Sequence, residues 1–207
     1  MHSESDLHAF LRFVVTANHD DIADRLKVSP SLATVAVATG ATRQDSQDHF
    51  VAEINHYVVS GDTALHMAAA AFRRPIAELL VAHGADCRAR NRHGAEPLHY
   101  AADTNHWDPT AQADTIEYLV SAGADPNAFN RSGVAPLHRA VRTRSLPAVQ
   151  ALLNGGADPI LRNGSGSTPL QIASRPTGRG GSGSAQARDQ QAKIITLLEE
   201  RIVARLR

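Results

Sequence analysis

Arginine supplies most of the chemistry in this sequence: 19 of its 21 basic residues are Arg, and several recur at matched places. Arg88, Arg90 and Arg92 alternate along one short stretch, so on an extended hairpin their side chains share a face. Arg131 and Arg162 fall on two later stretches of the same style, and Arg139, Arg142 and Arg144 lie between them. Such a basic stripe suits an acidic protein or peptide. The same residues also read as a solvated surface whose Arg content follows genomic base composition, and both readings stand at this point.

A second candidate is Gly178, Gly180 and Gly183, which spell G-x-G-x-x-G before a helical stretch, with Arg179 and Arg188 close by. Backbone N–H groups in such a loop can cradle a phosphate. The preceding strand and parallel sheet of a dinucleotide fold are missing, and no Lys-Ser/Thr ending makes a P-loop. Composition favours a flexible Gly/Ser linker, with an anion-binding nest as the alternative.

The eleven histidines include no HExxH and no Cys/His spacing of a zinc site, so no metal or cofactor is expected. There is no G-x-S-x-G, Cys87 is the only thiol, and no carboxylate pair can be placed in a cleft. The expectation is that the chain is not an enzyme. With a single cysteine there is no intrachain disulfide.

What positions these residues is a repeat. Leu65, Leu98, Leu137 and Leu170 each sit in a similar run, separated by 33, 39 and 33 residues. Gly84, Gly123 and Gly156 each open a Gly-Ala-Asp, at 19, 25 and 19 residues beyond the corresponding Leu. Six additional residues therefore lie between Leu98 and Gly123. The run RSGVAPLHRAVRTRSLPAVQALLNGGADPILRN, residues 131–163, is the clearest copy.

With its PLH core and Gly-Ala-Asp ending, this unit resembles the ankyrin repeat, G-x-T-P-L-H-x-A-A followed by I-V-x-L-L-L-x-x-G-A-D-x-N. Three clear copies and a lengthened fourth cover 61–205, as 61–91, 92–130, 131–163 and 164–205. The resemblance implies an all-α solenoid of stacked helix-turn-helix units with short hairpin loops. It also places hairpins and inner helices along a concave groove, and so implies a non-catalytic protein-binding module or scaffold.

Each residue of the unit has a physical role. Pro136 suits the first turn of a helix, where its missing N–H costs nothing. Leu137, Ala140 and Val141 form one apolar face, and Val149, Leu152 and Leu153 form the next. Gly156 is expected in the left-handed conformation that ends the second helix. No unit can bury both faces alone, so units must stack. Thr of the signature survives only as Thr63 and Thr168, with Glu96 and Ala135 in the middle copies. His persists as His66, His99 and His138 and gives way to Gln171, so the usual Thr and His hydrogen bonds are incomplete.

Residues 1–60 read as an N-terminal helical cap with a degenerate repeat. Helices are expected over 6–17 and from Asp21 to Val28, with Ser29-Pro30-Ser31-Leu32 in place of Gly-Ala-Asp. In 33–60 a short helix ending at Gly40 is expected. A second helix to about residue 55 follows from the spacing of Phe50, Ile54, Tyr57 and Val58. A strand through HYVV is the alternative.

Two connectors are lengthened. TNHWDPTAQAD carries His106, Trp107 and Asp108, and RPTGRGGSGSAQARDQ carries Arg179. Both interrupt their units between inner and outer helix, so both should emerge on one edge. Trp and Arg are enriched at binding hot spots, which makes Trp107 an interface anchor; the competing reading folds it back as a lid over the second unit. Residues 177–186 are expected to be mobile without ligand.

Net charge is zero, yet residues 1–70 carry nine acids against four bases while 131–188 carry eight Arg against Asp158 alone. Overall neutrality and the lack of aromatic stacking platforms argue against nucleic acid. No 18-residue apolar run and no signal-like N-terminus occur, so a cytoplasmic monomer with no membrane insertion is expected.

Overall fold

The computed structural model describes residues 3–42, 45–103, 108–176 and 184–205. Two helices open the chain, α1 (Glu4–Thr16) and α2 (His19–Val28). Four inner and outer pairs follow: α3 (Ala64–Ala70) with α4 (Arg74–Ala82), α5 (Pro97–Ala101) with α6 (Pro109–Ser121), α7 (Pro136–Thr143) with α8 (Leu146–Asn154), and α9 (Pro169–Ala173) with α10 (Ala185–Arg205). Inner helices stack in the order α3, α5, α7, α9, and outer helices in the order α4, α6, α8, α10. Helix α1 packs on α3 and α2 on α4, so the first pair fills the place of a unit at the N-terminal end. The result is the expected helical stack. One apolar cluster runs through it from Leu7 to Leu198.

Local chemistry sets the helix starts. Ser3 and Asp6 cap α1 reciprocally, Ser3 Oγ accepting from the Asp6 N–H at 3.1 Å and Asp6 Oδ2 accepting from the Ser3 N–H at 3.2 Å. Asn18 caps α2, and Pro97, Pro136 and Pro169 occupy the first turns of α5, α7 and α9. All seven residues of α3 are buried, because α1, α4 and α5 enclose it and its alanines let them approach.

Three turn devices repeat. Gly84, Gly123 and Gly156 have φ of 90°, 101° and 91°, as their place after an outer helix requires. The next N–H closes back to Leu80, Leu119 and Leu152. Asp86, Asp125 and Asp158 then accept the N–H two residues on, at 2.8, 2.9 and 3.0 Å. Asn91, Asn130 and Asn163 each accept two backbone N–H groups, two and four residues on. Between units, the Arg92, Arg131 and Gly164 N–H groups donate to Ser60, His93 and Gly133.

Within a unit, the step from inner to outer helix follows connector length. Phe72 and Arg144 take left-handed φ of 53° and 58°. The next N–H, of Arg73 or Ser145, then donates to the Ala68 or Ala140 carbonyl. In the lengthened units a glutamine replaces that turn. Gln112 donates to Ala101 and Asp103, and Gln191 to Ala173 and Arg175.

Three expectations need correction. Residues 33–60 hold no α-helix among the described residues. β-branched Thr34, Val35, Val37 and Thr39 disfavour one, and Ala36 instead bridges Thr63. The stripe of Phe50, Ile54, Tyr57 and Val58 belongs to a hairpin, where β1 (Phe50–Val51) pairs antiparallel with β2 (His56–Tyr57). Asn55 turns it at φ 47°, a conformation that Asn tolerates. Tyr57 is left 44% exposed, which a helix burying that stripe would not do. The second unit's insertion is partly absorbed into α6, 13 residues long against nine in α4 and α8. The last helix begins at Ala185, capped by Ser184 Oγ on the Ala187 N–H at 3.1 Å, so Ala185 and Gln186 are helical. Residues 177–183, where mobility was expected, lie outside the described residues.

Candidate functional site

The three hairpin arginines reach out of their own unit. Arg88 Nε donates to the Gly123 carbonyl at 3.0 Å, as Asn127 Nδ2 does to Gly156 one unit on. Arg90 donates to the Phe129 carbonyl and lies 3.5 Å from Glu96, while Arg92 donates to Ala41. These contacts stitch units together. They also leave donors over, because a guanidinium has five. Arg88 and Arg90 remain exposed and Arg92 is half-buried.

Further along, Arg139 and Arg142 converge on one carboxylate. Arg139 forms a half-buried ion pair with Asp103, and Arg142 reaches the other Asp103 oxygen at 3.4 Å. Asp103 holds in the second unit the repeat position that Arg142 holds in the third. Burial, with Arg139 second, lowers the pKa of the adjacent His99 to about 4.

Between the first two units lies a buried polar network that the sequence reading did not single out. The Asp62 carboxylate accepts from the Val59 N–H at 2.8 Å, from Asn91 Nδ2 at 2.9 Å and from the Tyr100 hydroxyl at 2.9 Å. Burial and then Asp62 push the Tyr100 hydroxyl well above its usual range. The His56 ring meets Tyr100 edge-on at 4.4 Å, and burial pulls its pKa down. A signal was present, since Asp62 stands where later units carry Ala95, Val134 and Ser167. The network's contacts are internal, and its work is joining units.

A hollow of about 360 Å³ opens between the third and fourth units. Val134, Val141 and Ile172 give it an apolar lining, His138 and Asn163 add polar edges, and Arg142, Arg144 and Arg175 bring three guanidinium groups. Arg175 was also missed as a candidate, although it sits 33 residues after Arg142, at the same repeat position.

Arg162 is exposed and donates to the Gly166 carbonyl of its own hairpin at 2.7 Å. Arg131 is exposed at a hairpin tip beside Gly94. Asp108 caps α6, accepting from the Ala111 N–H at 3.0 Å. His106, Trp107, Arg179 and the Gly178 to Gly183 loop lie outside the described residues. Burial raises the Cys87 thiol, keeping it protonated and a poor nucleophile. Among the described residues no group of three or more His, Cys, Asp or Glu could hold a metal ion, and no helix is long and apolar enough to cross a membrane.

Two family models match the chain. One described as ankyrin repeats (3 copies) matches residues 13–130, beginning within α1, and one described as ankyrin repeats (many copies) matches residues 119–173. No curated protein matches it. Ankyrin repeats are generally protein–protein interaction modules and typically non-catalytic.

Proposed function

We propose a binding function for this chain, which belongs to the ankyrin-repeat family: it acts as a non-catalytic scaffold, a monomer that holds an acidic protein along its inner helices and hairpins. The observation that carries the reading is charge placement. Eight Arg stand against Asp158 alone over residues 131–188, and Asp158 itself is paired with Arg205. Excess positive charge toward one end of a stack attracts an acidic partner and sets its orientation. Arg88, Arg131 and Arg162, spaced over successive hairpins, are the residues proposed to meet it first, with Trp107 as an anchor.

The test is affinity capture from the native host with the whole chain as bait, followed by mass spectrometry. A parallel bait carries Arg88→Gln, Arg131→Gln and Arg162→Gln. The reading expects an acidic protein that the wild type captures and the triple variant loses. An unchanged partner set overturns it, as does recovery of nucleic acid alone with binding that falls steeply with salt.

A further inference from the structure

The hollow between the third and fourth units differs from the rest of the basic surface in what its arginines face. Arg88, Arg90, Arg92 and Arg162 donate to backbone carbonyls, and Arg139 is committed to Asp103. Arg142 shares that same carboxylate from a 66% exposed position. Arg175 donates to the neutral Ser167 hydroxyl at 3.1 Å. Arg144 sits at the end of α7 in a left-handed conformation, φ 58°, that glycine or asparagine would adopt at lower cost. In the first unit Phe72 bears the same conformation, and its side chain is buried in the stack. Arg144 is only half-buried and lines two adjoining hollows, the second of about 360 Å³ between the end of α7 and the start of α10. No Asp or Glu lines either one among the described residues.

Repeat geometry explains why positive charge collects here. One position of the unit is Ala70, Asp103, Arg142 and Arg175 in successive copies. Stacking brings these into line about 10 Å apart, so Asp103 compensates Arg142 and nothing at that position compensates Arg175. Beside the guanidinium groups, the part-exposed Val134 and Ile172 offer apolar surface to the stem of an entering side chain, above the buried Val141.

We infer that this hollow is a specific site for a linear acidic peptide, in which Arg144 and Arg175 hold a carboxylate side chain while Val134, Val141 and Ile172 receive an aliphatic neighbour. The inference rests on the binding function proposed above and narrows it to one place and one chemistry. A volume of about 360 Å³ accommodates a side chain or two, at the small end of typical ligand sites. Arginine forks match carboxylate geometry in pairs of N–H donors, which gives orientation as well as attraction.

The experiment uses the full chain and a fluorescein-labelled nonapeptide built of Glu-Glu-Leu triplets, with a Gln-for-Glu counterpart and a phosphoserine-for-Glu counterpart. Fluorescence anisotropy reads affinity, and amide NMR shifts read location. The expected result is saturable binding of the Glu peptide, with shifts clustered at Val134, Val141 and Ile172. Affinity should fall at least tenfold for the Gln peptide, and at least tenfold for the Arg144→Gly, Arg175→Gln double variant. Arg144→Gly relieves a left-handed side chain, and Arg175→Gln alone serves as the second variant should the double one melt early. Lack of binding at millimolar peptide, equal affinity for the Gln peptide, survival of binding in the variants, or shifts elsewhere each overturns the site. Binding of the phosphoserine peptide alone would also overturn it, in favour of phosphate recognition. Partner capture by the double variant separates this inference from the broader reading: a partner lost only with the hairpin triple variant leaves the binding function intact and removes the hollow from it.

Discussion

Gln112 and Gln191 do the same job in two units with one regular unit between them. Each side-chain amide donates to a pair of carbonyls at the end of an inner helix, Ala101 and Asp103 for Gln112, Ala173 and Arg175 for Gln191. In the regular units a left-handed turn lets a backbone N–H do this work, so the glutamines are what allow the connectors to grow without orphaning buried carbonyls.

Gln112 is buried and also accepts from Ser145 Oγ at 2.6 Å, which ties the second unit to the third. Gln112→Leu keeps the volume and removes the side-chain partner of the Ala101 and Asp103 carbonyls and of the Ser145 hydroxyl proton, while Ser145 Oγ still accepts the Ala148 N–H. The expected cost is about 2 to 4 kcal/mol, with Gln191→Leu nearer 1 kcal/mol because its site is partly open to water. Urea unfolding measures both; equal effects at the two sites would contradict this account.

Stability should fall in mild acid because three histidines must stay neutral. His66, His99 and His138 each accept a backbone N–H at Nδ1, at 3.1, 3.1 and 3.2 Å. Their Nε2 then donates to a carbonyl, that of Ala95 and of Val134 in the next unit for His66 and His99, and that of Leu161 in its own unit's hairpin for His138. Burial lowers all three pKa values, that of His99 to about 4. Between the unfolded value near 6.5 and the folded value, the unfolded chain binds more protons, so stability rises with pH there and is lost as pH drops. For His99 the loss approaches about 3 kcal/mol by pH 4. Urea midpoints taken from pH 7 to pH 4 should track it. His99→Gln should flatten the curve, since Gln171 already accepts the Thr168 N–H at 2.9 Å in the fourth unit.

Much of this frame was legible because period and glycine position are backbone demands written in single residues: Gly84, Gly123 and Gly156 can be read one by one. The hairpin at 50–57 was not, since Phe50, Ile54, Tyr57 and Val58 fit a helical spacing and only pairing across Asn55 decides against it. The basic surface was half legible. Arg88, Arg90 and Arg92 were visible as a run, yet their carbonyl partners belong to other units and cannot be read from local spacing. The repeat register alone places Arg175 under Arg142, but Arg175 opens the long connector, whose Gly and Ser composition masks that register.

Core truncations should act regionally. Leu137→Ala and Leu152→Ala each remove a buried side chain from the third unit and should cost about 2 to 5 kcal/mol. Units touch only their neighbours in a linear stack, so hydrogen exchange should speed up mainly from residue 98 onward. Equal loss of protection in α1 and α2 would show a more global cooperativity than the stack allows.

Glu96 offers a gain of stability at neutral pH. It takes the place that Thr63 and Thr168 hold in other units, and it is buried, with Oε2 lacking a hydrogen-bond partner in the protein and Oε1 only 3.5 Å from Arg90. Burial raises its pKa, and Arg90 offsets part of that. With a folded pKa above the unfolded one, its contribution is fully present below the unfolded value and is lost as pH rises through the folded value, opposite in sign to the histidines. Glu96→Thr should therefore stabilise the chain by about 1 kcal/mol at pH 7 and by less at pH 4. It also frees Arg90 from its only carboxylate contact among the described residues. Arg90→Gln should consequently cost more stability in the wild type than in the Glu96→Thr background, and a double-mutant cycle by urea unfolding reads the difference. A cycle that closes to zero would mean that Arg90 does not offset the burial of Glu96, and a Glu96→Thr chain that melts earlier at pH 7 would mean that the pair holds the second unit in place rather than burdening it.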